Sequence, residues 1–399
     1  MLVEFSVKNF MSFKDKVTFS MEAATGTENE ENIISIPNIN ERILKSTAIY
    51  GANASGKTNL IKAFTAAILM VRKSNNRQVG EKLMEMEPFA FDKKAKVEPC
   101  EFEFVFYAKE MKYIYGFIAD KEKVYEEYLY QYFTAKPTRI FERTNVNEYK
   151  FLQADEGKLN SIKTQNIDNK LFLATATTWN YDKTKEPYLW FAKNIDTYSG
   201  GMLLNDFVVE SYSKDEGEEL KKFTLKLLNE ADIVIKDFSV EIEERDVDSN
   251  MLMLLKNFNI PSPMLPQKQR DVKIRMTHEV TNDEGNMKNY ELNLNNESSG
   301  TQILFSFAPI LKDVFENGKI LVIDEIERSL HPSLVEMIIK FFHNPEINKE
   351  NAQLIFNTHD TNLLSLDLFR RDQIWFAEKD PKKGATELYP LDDFSVRKT

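Results

Sequence analysis

The chain's strongest constraint lies at Gly51-Ala52-Asn53-Ala54-Ser55-Gly56-Lys57-Thr58, which fits GxxxxGK(S/T). A β-prone run, Ser46 to Tyr50, precedes it. Behind it Leu60, Ile61, Phe64, Ala67, Ile68 and Val71 recur at helical spacing. Strand, glycine loop and helix in that order form the context the pattern needs, so an α/β fold is expected. Glycines let backbone N–H groups curl around phosphates, and the helix N-terminus adds partial positive charge. Gly51, Asn53, Ala54, Ser55, Gly56, Lys57 and Thr58 are therefore candidate nucleotide contacts. Lys57 would reach the β and γ phosphates and Thr58 would ligate Mg²⁺.

Three later segments extend the same chemistry. Ile320-Leu321-Val322-Ile323 runs into Asp324 and Glu325, placing two acids at the end of a buried strand. Asp324 is assigned to Mg²⁺ and Glu325 to the attacking water. The alternative, a strand that merely runs into a charged loop, becomes the minor reading once Lys57 stands upstream. Asn357-Thr358-His359-Asp360 follows another apolar run, so His359 belongs at the same sheet edge and could sense a γ-phosphate. Ser298-Ser299-Gly300-Thr301-Gln302 precedes a helix. Alone it reads as an N-cap and turn, and in company as a second phosphate contact through Ser299 and Gly300.

The order of these motifs resembles ABC-type ATPases of the SMC, RecF and OLD branch, including SLHP (Ser329 to Pro332) between the acids and the histidine. VKNFMSF at the start looks like the opening strand of RecF and SMC heads. The nearest resemblance is to ATP-binding AAA proteins of bacterial phage-defence and abortive-infection systems. It covers about residues 1 to 180 and 290 to 390.

That resemblance implies an ABC-type P-loop NTPase head, a mixed sheet plus an antiparallel β-subdomain, with a short, mainly helical insertion. It also implies a head-to-tail homodimer or higher homo-oligomer closing on ATP and Mg²⁺. Lys57 and Thr58 of one copy and Ser299 and Gly300 of the other would hold one nucleotide. Glu325 would be the catalytic base, His359 the switch histidine and SLHP the D-loop. Thr301 replaces a signature glycine, and Thr178 stands where the Q-loop glutamine is expected. Only forty residues follow His359, too few for a nuclease domain of ordinary size. The implied partner is a separate toxin or nuclease effector.

The remaining expectations come from composition. With 399 residues, 42% of them hydrophobic, the chain can bury a sizeable core. We expect lobe I over residues 1–200, an insertion with helix and some strand over 201–294, and lobe II over 295–399. The β-rich runs from Phe102 to about Phe172 suit an antiparallel meander, and PSPMLP (261–266) marks a loop. A single cysteine, Cys100, excludes an intramolecular disulfide, and no apolar run is long enough to span a bilayer. The first thirty residues lack the apolar core of a secretory signal, so the cytoplasm is expected. The formal charge is 52 − 63 = −11, which gives nucleic acid no support, although KQRDVKIR (268–275) could form a local contact. A RecF-like DNA-binding ATPase is therefore the alternative reading.

Overall fold

The computed structural model describes residues 1–35, 41–199, 206–213, 217–247, 268–328 and 330–394. By contacts the chain divides into two compact units, Met1–Gly200 with Val314–Thr399, and Gly201–Asp313. The second boundary falls later than the expected residue 294.

The first unit opens with strands β1 (Leu2–Lys8), β2 (Val17–Ser20), β3 (Ile33–Ser35), β4 (Arg42–Leu44) and β5 (Ser46–Tyr50), followed by helix α1 (Lys57–Lys73). A meander comes next, β6 (Cys100–Ala108), β7 (Met111–Ala119), β8 (Val124–Tyr132), β9 (Pro137–Thr144) and β10 (Glu148–Phe151). Helices α2 (Glu156–Lys163), α3 (Phe172–Thr178) and α4 (Asp182–Leu189) lead to β11 (Ile195–Ser199). The strands thus stop at Phe151, well before Phe172. Beyond it the buried residues Leu159 and Ile162 lie three apart, a helical spacing.

The second unit contains α5 (Asp206–Ser213), α6 (Gly217–Glu230), β12 (Asp237–Asp246), β13 (Lys268–Thr281) and β14 (Met287–Asn293), and α7 (Ser299–Asn317) begins in it. The chain returns through β15 (Ile320–Asp324), α8 (Pro332–His343), β16 (Gln353–Asn357), β17 (Ile374–Lys379) and β18 (Thr386–Pro390).

Two sheets organise the first unit. The antiparallel one has the order β10-β9-β8-β7-β6-β1-β2. In β6, Phe102, Phe104 and Phe106 are buried while Glu101, Glu103 and Val105 are less so, the alternation of a sheet with one face on a core. Phe5 joins this sheet to α1, its ring 4.0 Å from that of Phe64 and 4.6 Å from that of Phe104. Each such ring contributes roughly 1.5–3 kcal/mol by leaving water.

The second sheet has the order β11-β15-β16-β5-β17-β18. All its pairings are parallel except β17 with β18. β5 and β16 are buried along their whole lengths, as strands covered on both faces must be. Because β5, β15 and β16 run the same way, the chain leaves all three at one edge, which gathers Gly51, Glu325 and Thr358 there.

In the second unit, β12, β13 and β14 form an antiparallel sheet. Phe238, Ile274 and Met276 are buried, and Tyr212 stacks on Phe305 at 4.6 Å. The opposite face carries ion pairs, Arg275 to Glu241 at 2.7 Å and Lys273 to Glu243 at 3.3 Å. The expected mainly helical insertion is corrected here, since strands outnumber helix between 206 and 293 among the described residues. Period-two alternation in Val240-Glu241-Ile242-Glu243 is the physical reason. PSPMLP lies outside the described residues.

Candidate functional site

The loop from Gly51 to Gly56 takes a shape few side chains permit. Gly51 has φ +152° and Gly56 φ +112°, and Ala54 also lies at positive φ, +61°. A Cβ on Gly51 would strike the Ala377 carbonyl, and one on Gly56 the Thr386 hydroxyl, so glycine is required twice over. Asn53 is exposed at the crest and Ser55 is buried. Ser55 Oγ has no hydrogen-bond partner, an orphaned polar atom inside a curled loop. Lys57 Nζ donates to the carbonyls of Gly51 at 2.7 Å and Ala52 at 3.2 Å and lies 3.5 Å from His359 Nδ1. Burial lowers the Lys57 pKa, and Glu327, Glu325 and Asp324 pull it back up.

The acids meet this loop. Thr58 Oγ1 donates to Asp324 Oδ1 at 3.0 Å, so two hard oxygens that suit Mg²⁺ stand together. Glu325, just beyond β15, has φ +55°. Its carboxylate lies 3.8 Å from His359 Nε2 and 3.9 Å from Arg328 Nη1. The backbone N–H of His359 donates to Glu327 Oε1 at 2.6 Å. One sheet edge therefore brings together Lys57, Thr58, Asp324, Glu325 and His359. An open cleft of about 720 Å³ adjoins the loop, lined by residues 51–55 with Phe376, Asp380 and Tyr389 among others.

Ser299 and Gly300 belong to the second unit, where Ser299 is exposed at the start of α7. The cap is made by Ser298, whose Oγ accepts from Thr301 N at 3.2 Å and lies 2.8 Å from Thr301 Oγ1. Thr301 is buried, so the residue replacing the signature glycine closes the helix start. Thr178 is exposed at the end of α3. Ser329 of the SLHP segment lies outside the described residues.

Sequence reasoning missed several residues. Asn357 is fully buried and touches both acids across the sheet, through contacts that no local pattern announces. Ser12, Asn59 and Thr386 fasten the phosphate loop. Asn59 Nδ2 donates to Ser12 Oγ at 2.8 Å, and Thr386 Oγ1 lies 2.8 Å from both Ser12 Oγ and the Ser55 carbonyl. No local pattern marks that clasp.

Residues 46–365, from β5 to just past His359, match the family described as "AAA domain, putative AbiEii toxin, Type IV TA system". The chain belongs to this family. It accordingly carries an AAA domain, and the glycine loop at residues 51–58 falls inside the matched segment. Among similar solved structures is an Smc head bound to the C-winged helix domain of ScpA, at 11% identity and TM-score 0.41, covering 100% of this chain and 98% of that one. Another is the Smc head with an extended coiled coil from Pyrococcus furiosus, bound to the C-terminal domain of ScpA. It shows 12% identity, TM-score 0.41 and coverage of 98% and 96%. CbiO1 of Clostridium perfringens, part of the ABC transporter complex cbiONQ, shows 11% identity, TM-score 0.35 and coverage of 98% and 90%. No curated protein matches the chain. Among the described residues, no helix is long and apolar enough to cross a membrane.

Proposed function

We propose that this protein is a Mg²⁺-dependent ATPase that acts as a switch or scaffold in a bacterial anti-phage complex, its nucleotide-driven association controlling a separate toxin or nuclease effector. The observation that carries the enzymatic part is the Thr58–Asp324 contact beside Lys57, with Glu325 and His359 within 4 Å of each other. Lys57 and the loop N–H groups bind the phosphates, and the adjoining cleft has room for the nucleoside. When bound, Mg²⁺ supplies positive charge against the β and γ phosphates, with Thr58 and Asp324 to hold it. Glu325 orients the attacking water and takes its proton, and His359 registers the γ-phosphate.

The family resemblance supports a composite site in which Ser299 and Gly300 of a second copy complete the pocket. The exposure of Ser299 agrees with a role outside its own unit, since the capping work falls to Ser298. Ser299→Arg places bulk and charge at that junction. It should abolish phosphate release while leaving the melting temperature and nucleotide binding by the monomer intact. Parental turnover in Ser299→Arg would remove the composite site. The DNA-binding alternative gains nothing from Lys273 and Arg275 of KQRDVKIR, which are paired with Glu243 and Glu241. Stimulation of turnover by duplex DNA that fades with added salt would revive it.

A further inference from the structure

We propose that Asn357 is a positioning residue that sets the two acids of this site in register, an assignment that rests on the ATPase reading above. Asn357 ends β16, the strand lying between the one that leads to the phosphate loop and the one that leads to the acids. Its side chain is fully buried and both ends of the amide are committed. Nδ2 donates to Asp324 Oδ1 at 2.5 Å, and Oδ1 accepts from the Glu325 backbone N–H at 2.5 Å. This fixes the amide's orientation, because a carboxylate must face the NH₂ and an N–H must face the oxygen.

Each bond has a consequence. Thr58 Oγ1 also donates to Asp324 Oδ1, at 3.0 Å, so one donor from the start of α1 and one from the end of β16 pin the same oxygen and leave Oδ2 as the one neither holds. At Glu325 the backbone lies at φ +55°, a region that non-glycine residues seldom occupy without support. The bond from its N–H to Asn357 provides that support and aims the carboxylate past the strand end. Asp324 and Glu325 are adjacent in sequence, and one planar amide holds the side chain of the first and the main chain of the second. Neither serine nor leucine can serve both partners.

Asn357→Leu removes both bonds at nearly constant shape, and Asn357→Ser keeps a shorter donor and acceptor. In Asn357→Leu, kcat should fall about 10- to 100-fold, the effect of losing a hydrogen bond to a charged group, with KM for ATP within about 3-fold of the parent's. Asn357→Ser should fall between. Two readouts are independent of turnover. Binding of a fluorescent ATP analogue in EDTA should be unchanged, while Mn²⁺ affinity of the ADP-loaded protein, followed by electron paramagnetic resonance, should weaken about 10-fold in Asn357→Leu. Parental kcat and Mn²⁺ affinity in either folded variant would overturn the assignment. So would loss of EDTA nucleotide binding in step with a lowered melting temperature in both, which marks a purely structural residue. A parent that binds no Mg·ATP at all would instead remove the ATPase reading, and this assignment with it.

Discussion

Glu127 in the antiparallel meander and Glu325 at the edge of the parallel sheet are carboxylates of one unit with opposite surroundings. Glu127 is fully buried. It accepts from the backbone N–H groups of Phe172 at 2.5 Å and Leu173 at 2.9 Å and from Tyr115 Oη at 3.0 Å, with Arg143 at 3.9 Å. Burial raises its pKa, and Arg143, those N–H groups and Tyr115 pull the other way. Glu325 keeps 36% of its side chain exposed, and its nearest charged partners stand 3.8 and 3.9 Å away. A carboxylate whose acceptor sites are filled ties elements together. One whose sites are open can take a proton or a water.

Substitution should separate the two roles completely. Glu325→Gln should lower turnover about 10³-fold or more, roughly 4 kcal/mol, and trap an ATP-bound dimer visible by light scattering, with no change in melting temperature. Turnover like the parent's would show that an open carboxylate at this edge is not the base. Glu127→Ala should do the reverse. It strands the buried Arg143 guanidinium and frees the start of α3, costing about 3 kcal/mol or more in urea unfolding. The folded fraction should keep its turnover. A loss of activity per folded molecule would mean that the meander communicates with the nucleotide edge, and the comparison would have to be redrawn.

The same contrast explains what the sequence disclosed. The glycine loop, its flanking strand and helix, and the acids after an apolar run are local patterns, so Lys57, Thr58, Asp324, Glu325 and His359 could be placed before any contact was known. Asn357 could not, because its partners are 33 and 32 residues away and meet it only through the parallel pairing of β15 with β16. Glu127 sits in Val124-Tyr125-Glu126-Glu127-Tyr128, indistinguishable there from its exposed neighbour Glu126. Its two backbone donors come from a helix that begins 45 residues further on. The sheet of the second unit is legible only as the period-two alternation of Val240-Glu241-Ile242-Glu243 and Val272-Lys273-Ile274-Arg275-Met276, a signal that composition alone does not carry.

The histidines repeat the lesson at smaller amplitude. His359 keeps 41% of its side chain exposed beside Lys57 and Glu325, whereas His343, at the end of α8, is buried with Nε2 2.7 Å from Ser46 Oγ. Burial, helped by nearby Lys45, lowers the His343 pKa from 6.5 to about 3. The folded state therefore holds this ring neutral, while the unfolded chain takes up a proton below about 6.5. Between those two values the unfolded state binds more protons, so stability is full above pH 6.5 and declines as pH falls toward 3. The slope is about 1.4 kcal/mol per pH unit, which amounts to roughly 2 kcal/mol by pH 5. His343→Gln cannot titrate. It should be less stable than the parent at pH 7.5 through loss of packing, and that gap should close by about 2 kcal/mol at pH 5 in paired urea titrations. A gap independent of pH would mean that His343 titrates in the fold as it does in the unfolded chain, so that burial does not hold the ring neutral.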